Sequence, residues 1–280
     1  RVIDATFPLF PEEGHTRNYK GTASAPFIPS VQAAYKNGNW VFSGSFAVGG
    51  GGGKASFDTG LPMFDALVMG SIYKATNGFI TPDKYTINSA MDGRQFIYGL
   101  QFGASYKVND WLSVFGGGRM NYFSGGYTGY LTANIKDQYK NYVPNQTLYS
   151  LELDLDQTGW GLTPIIGADV KLGKWNMGLK YEFMTSLNIE NQTKKNSDPD
   201  GALAAYKNGV NTPNDIPALL TAAVGYEILP TLRASVEYHF FDDKQAGMAG
   251  DKQEALKGGT NEYLMGIEWD VHDRVSISGG

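Results

Sequence analysis

Phe96-Ile97-Tyr98-Gly99-Leu100-Gln101-Phe102-Gly103-Ala104-Ser105-Tyr106-Lys107 decides how this chain folds. Phe96, Tyr98, Leu100, Phe102, Ala104 and Tyr106 share one face, and Ile97, Gly99, Gln101, Gly103, Ser105 and Lys107 share the other. That two-residue period is a strand's, not a helix's. The run is as long as a tilted strand must be to cross a bilayer, about 9–11 residues. An aromatic and aliphatic face opposite a small and polar one is what lipid outside and water inside demand.

The pattern repeats outward in both directions. After Asn109-Asp110, residues 112–123 set Leu112, Val114, Met120 and Tyr122 against Ser113, Phe115, Arg119, Asn121 and Phe123. Residues 160–172 and 175–183 alternate in the same way on either side of Gly173-Lys174, which predicts a hairpin. Residues 220–228 and 232–240 flank Leu229-Pro230, 262–271 and 275–277 flank Asp273, and 31–35 and 40–48 flank Lys36-Asn37-Gly38-Asn39. Short turns at 36–39, 108–110, 173–174, 229–231 and 271–273 alternate with long connections at about 49–92, 124–157, 188–215 and 242–260. Outer-membrane barrels have this asymmetry, with short periplasmic turns and long extracellular loops. Trp40, Trp111, Trp160, Trp175 and Trp269 fall at strand ends, where an amphipathic ring suits the headgroup interface.

Composition removes the other classes. The 36 glycines among 280 residues are about twice the usual share, and with 18% charged residues they disfavour a helical bundle. An aromatic content of 13% excludes disorder. A net charge of −5 with scattered Lys and Arg leaves no footprint for nucleic acid. Zero cysteines exclude disulfides, thiolate nucleophiles and Cys-ligated metals. No run of about 18 uncharged apolar residues is present, which excludes a transmembrane helix but not a barrel. The fold class is therefore all-β: a transmembrane antiparallel up-and-down barrel, one domain over 1–280, with long extracellular loops carrying short helices. The alternating runs number about ten or eleven, whereas bacterial single-chain barrels have an even count, so both ends read as cut from a longer protein.

Several motifs resemble the FadL-type family of outer-membrane transporters for long-chain fatty acids and aromatic hydrocarbons. They are Gly21-Thr22-Ala23-Ser24-Ala25-Pro26-Phe27-Ile28-Pro29-Ser30, Val108-Asn109-Asp110-Trp111-Leu112-Ser113-Val114, Gly159-Trp160-Gly161-Leu162, Gly178-Leu179-Lys180-Tyr181-Glu182-Phe183 and Ile216-Pro217-Ala218-Leu219. The resemblance implies a fourteen-stranded barrel with a small N-terminal hatch, of which this chain would hold about eleven strands. It also implies capture of cargo by extracellular loops, passage to a lumen site, and sideways release beside a kinked third strand. The third strand here is 40–48, and Gly49-Gly50-Gly51-Gly52-Gly53 follows it as the lateral-gate candidate. A flexible loop root is the alternative.

Residues 61–73 predict a short amphipathic helix, with Pro62 in its first turn and Phe64, Leu67, Val68 and Ile72 at helical spacing. Phe64, Leu67 and Val68 form an apolar surface for capture, with 130–149 and its Tyr139, Tyr142, Val143, Leu148 and Tyr149 as partner; plain packing of the helix on the neighbouring long loop is the alternative. In the lumen a fatty-acid carboxylate needs a cation. Arg119 is the first choice, with Phe115 and Phe123 on its face for the chain; Lys171, Lys180 and Arg233 are further cations, and Asn121 and His239 are donors. The alternative is ordinary ion networks, with Asp169, Glu182 and Glu237 as the acids.

No catalytic constellation emerges. His15, His239 and His272 are too scattered for a metal site, and no Gly-x-Ser-x-Gly elbow is present. Gly53-Lys54 lacks the P-loop spacing, and the loop opening at Asn196 has Lys207 where a calcium loop needs Glu. The sequence thus predicts a monomeric, non-enzymatic barrel in the bacterial outer membrane, with lipid or detergent around it, no cofactor, no metal, and a hydrophobic small molecule or fatty acid as ligand. A porin for polar solutes and a soluble β-sandwich binding protein are the rival readings.

Overall fold

In chain order the strands are β1 (Val2–Ala5), β2 (Arg17–Ser24), β3 (Ser30–Asn37), β4 (Trp40–Phe57), β5 (Tyr85–Lys107), β6 (Leu112–Ile135), β7 (Thr147–Leu172), β8 (Trp175–Glu182), β9 (Asn188–Asn196), β10 (Asn211–Pro213), β11 (Leu219–Leu229), β12 (Leu232–Phe241), β13 (Thr260–His272) and β14 (Val275–Gly279). One α-helix, α1 (Pro62–Thr76), interrupts them between β4 and β5. These elements come from a computed structural model that describes residues 2–5, 17–25, 27–142, 145–198 and 200–280. His15, Pro26, Val143 and Pro199 lie outside the described residues.

All strands join one antiparallel sheet in the order β1-β2-β4-β5-β6-β7-β8-β11-β12-β13-β14. β3 pairs with the turn-side half of β4, and β9, itself paired with β10, takes the place of β8 beside the upper part of β7. This is the up-and-down meander that the short turns predict; among the described residues two sheets packed face to face, as a sandwich requires, are not formed.

The long connections are shorter than the alternation suggests. β5, β6 and β7 run for 23, 24 and 26 residues, so much of 49–92 and 124–157 is sheet and not loop. Runs such as Ser124-Gly125-Gly126 carry too few side chains to display a period, although their backbone ladders continue unbroken. A strand crossing a bilayer needs about 9–11 residues, so these three continue well past that length on the long-loop side.

Lateral pairing keeps side-chain parity constant across the sheet. Gln101, Arg119, Thr163 and Ser45 share one face, and Phe102, Met120, Leu162 and Phe46 lie on neighbouring positions of the other. The second face is apolar and open: Phe102 is 61% exposed, Leu162 59% and Met265 77%. An apolar exterior around a polar interior inverts the ordinary core. Aromatic rings border this band. Val48, Tyr98, Tyr122 and Trp160 form one cross-strand row, while Trp40 with Tyr106 and Trp175 with Tyr226 sit at the turn end with ring centroids 4.7 and 4.5 Å apart.

The conventional core lies at the long-loop end, on the polar face's side of the sheet. Val68, Met69 and Ile72 of α1 pack with Tyr19, Tyr85, Leu131, Ala133, Ile135 and Leu151. Pro62 starts the helix, where its missing N–H costs no bond, and Asn77 ends it in the left-handed region at φ 48°. Tyr139, Leu148 and Tyr149 join this cluster, whereas Tyr142 is exposed.

Candidate functional site

Beneath α1 lies an apolar cavity of about 540 Å³, within the usual range for small-molecule sites. Leu61, Met63, Phe64 and Leu67 roof it, Met91, Tyr127 and Leu131 from β5 and β6 floor it, and Leu203 and Tyr206 close one side. Two of the three helix residues predicted for capture are placed here. Val68 is not: it is fully buried in the core, against which Phe64 also packs. The 3.6-residue period groups Phe64, Leu67 and Val68, but only the docking of α1 decides which edge of its apolar stripe faces the cavity. Tyr127 and Tyr206 meet edge to face at 6.4 Å, and burial first, then Tyr206, raises the Tyr127 phenol above its ordinary pKa.

A second cavity, of about 510 Å³, shares Met91 and Tyr127 with the first and reaches Gly51, Gly52 and Gly53 of β4. Here the ladder of β4 is disturbed on both edges. Its register to β5 slips between Val48 and Gly50 and again between Gly51 and Gly53. On its other edge, pairing to β3 ends at Ala47 and pairing to β2 begins at Lys54. Gly51 and Gly52 have φ of 68° and 91°, a conformation that costs other residues dearly, and a Cβ on Gly51 would strike the Gln95 carbonyl. The glycine run is therefore a built double bulge within a strand, and not a flexible loop root.

Below it, on the polar face, Arg119 donates Nε and Nη2 to Gln101 Oε1 at 3.1 and 3.0 Å and pairs with Glu182 Oε2 at 2.8 Å. Lys180 meets the other oxygen of Glu182 at 2.8 Å. Asn121 donates to Thr163 at 2.8 Å, and Thr163 bonds Thr185. Phe123 is buried with Leu187 and Ile189, and the Phe115 ring fills the space that a side chain at Gly103 would occupy. Arg119, Asn121 and Lys180 thus meet in one place. Arg233 and His239 are elsewhere and are claimed by acids: Arg233 by Glu268 and Asp270, His239 by Glu237 at 2.6 Å and Glu262 at 3.3 Å. Glu237, the acid that the ion-network alternative set beside Arg233, pairs with His239 instead.

Glu182 escaped the sequence reading as the hub of this cluster. Its parity is visible, but Arg119 lies two strands away across β7, and register alone makes that pair. Around Asn196 the polar groups serve the chain itself, with Asp198 accepting the Ala202 amide at 2.7 Å as a turn does.

No family model matches the chain, and no curated protein matches it by sequence. Solved structures do match by shape. The Pseudomonas putida toluene transporter TodX aligns over 93% of this chain and 70% of its own, with a TM-score of 0.55 and 13% identity. A Pseudomonas aeruginosa FadL homologue aligns over 95% of this chain with a TM-score of 0.57 and 14% identity. The fold is the FadL-type fold. The chain spans 60% of the length of that FadL homologue. Within the FadL-type fold, the glycine bulge of β4, the cavity under α1 and the Arg119 cluster are the places where this sequence departs from plain sheet.

Proposed function

We propose that this chain forms the wall and extracellular dome of an outer-membrane transporter that passively admits hydrophobic small molecules. Cargo enters the cavity beneath α1, where Phe64 and Leu67 bury it, and moves past Met91 and Tyr127 to the bulge at Gly51–Gly53. There it leaves sideways into lipid, and no bond is made or broken. The observation that carries this reading is the pair of adjoining cavities ending at the one stretch of β4 with neither β2 nor β3 beside it. The neighbours support it, since a toluene transporter has this fold. The apolar outer face and its aromatic borders suit an outer-membrane barrel.

A disulfide across the break tests it. A Cβ on Gly53 would lie 3.8 Å from that of Ala25, the mean spacing in disulfides, and the chain has no other cysteine. Ala25→Cys with Gly53→Cys, oxidised, is expected to cut toluene uptake by cells expressing the protein by at least about tenfold, with reductant restoring it. Unchanged uptake through the stapled protein would overturn lateral release.

A further inference from the structure

We infer that the route selects cargo without formal charge and turns carboxylates away. This rests on the transport reading and narrows its substrate class. Among the residues lining the cavity beneath α1, the one charged residue is Glu152, whose side chain has the outward parity of Tyr130 and is bridged to Lys195 at 2.6 Å. A carboxylate placed there would meet no cation. An ionised group stripped of water without a partner is strongly disfavoured. The side-chain polar atoms that the inward face offers there are the hydroxyls of Tyr127 and Tyr206, which suit a neutral molecule.

The cations further along are spoken for. Lys54 and Arg94, which line the cavity at the glycine bulge, face Asp92 at 3.5 Å and Asp156 at 2.6 Å. In the Arg119 cluster two cations meet one acid, the place most open to an anion. Yet Nε and Nη2, the edge that would grip a carboxylate bidentately, are held by Gln101 and Glu182. Arg233 and His239 each sit between two acids. Lys171, at the turn-side end of β7, lines a separate cavity with Arg233 and Glu268 and touches neither the cavity under α1 nor the one at the bulge. A carboxylate would thus have to break existing pairs at each stage, whereas an uncharged ring or chain breaks none.

A matched pair isolates the charge: 1-dodecanol and dodecanoate, equal in chain length, at pH 8. Binding is measured to the chain in lipid nanodiscs, with empty nanodiscs subtracted. Dodecanol is expected to bind saturably and dodecanoate at least tenfold more weakly. Leu67→Lys and Met63→Lys each add a cation at exposed positions of the lining. Both are expected to tighten dodecanoate about tenfold and weaken dodecanol. Dodecanoate binding as tightly as dodecanol would overturn the charge selection and leave the transport reading standing. A weak dodecanoate that neither lysine rescues would also overturn it, because charge would not be the cause. If neither compound binds, the transport reading itself falls.

Discussion

Glu182 holds two cations with one carboxylate, and it is the most buried of the three charged groups, at 6% exposure. Removing its charge leaves Arg119 and Lys180 facing each other without an acid, and breaking a buried ion pair typically costs about 3–5 kcal/mol. Removing Lys180 leaves Glu182 still paired with Arg119, and Lys180 is 44% exposed, so that loss is nearer a surface pair's, under about 1 kcal/mol. Urea unfolding in lipid vesicles is therefore expected to rank Glu182→Gln well below Lys180→Met in stability. Equal losses would show that the three groups do not act as one cluster. The sequence places all three on the inward face, but which of them touch depends on the stagger of β6, β7 and β8.

At the scale of an element, β8 stops at Glu182 for a reason written in its neighbour. The Phe183 amide donates to the Pro164 carbonyl at 3.0 Å, and the return bond from residue 164 cannot form because proline has no N–H. Pairing lapses there, and the chain resumes as β9 only at Asn188. Between the two, Thr185 and Leu187 turn inward and are fully buried, while Thr185 exchanges both backbone bonds with Ile216 at 3.0 Å. This segment lies so close to β7 that a Cβ on Gly161 would sit 2.5 Å from the Ser186 carbonyl. Gly161→Val is expected to push residues 183–187 off β7 and to speed amide hydrogen exchange at Phe183 and Thr185 at least tenfold, with exchange in the β5–β6 ladder unchanged. Uniform acceleration would point instead to global destabilisation. Proline and glycine at these positions are legible in the sequence as interruptions, yet the partner that fills each gap is distant in the chain.

For the whole molecule the decisive property is that the large apolar side chains face outward. Ile166 lies on that face, 53% exposed, between Trp160 in the upper aromatic row and Trp175 at the turn end. An exposed charge on a water-soluble protein is almost neutral to stability, but Arg facing lipid at mid-bilayer costs about 2–4 kcal/mol. Ile166→Arg is expected to lose about that much in lipid vesicles. A change under about 0.5 kcal/mol would mean that this face is wetted.

The sequence alone determined the strand period, the turns, the inward and outward parity of Arg119 and Phe102, and the presence of a helix near Pro62. Each of these is set within a few residues, by side-chain alternation, proline and glycine. Tertiary structure decided the rest: that 124–135 extends β6, that Phe64 and Leu67 face a cavity while Val68 is sealed in the core, that Gly51 and Gly52 form a double bulge, and that Glu182 joins Arg119 to Lys180. These outcomes depend on which strand lies beside which and at what register. Such pairing couples residues dozens of positions apart, and no local period encodes it.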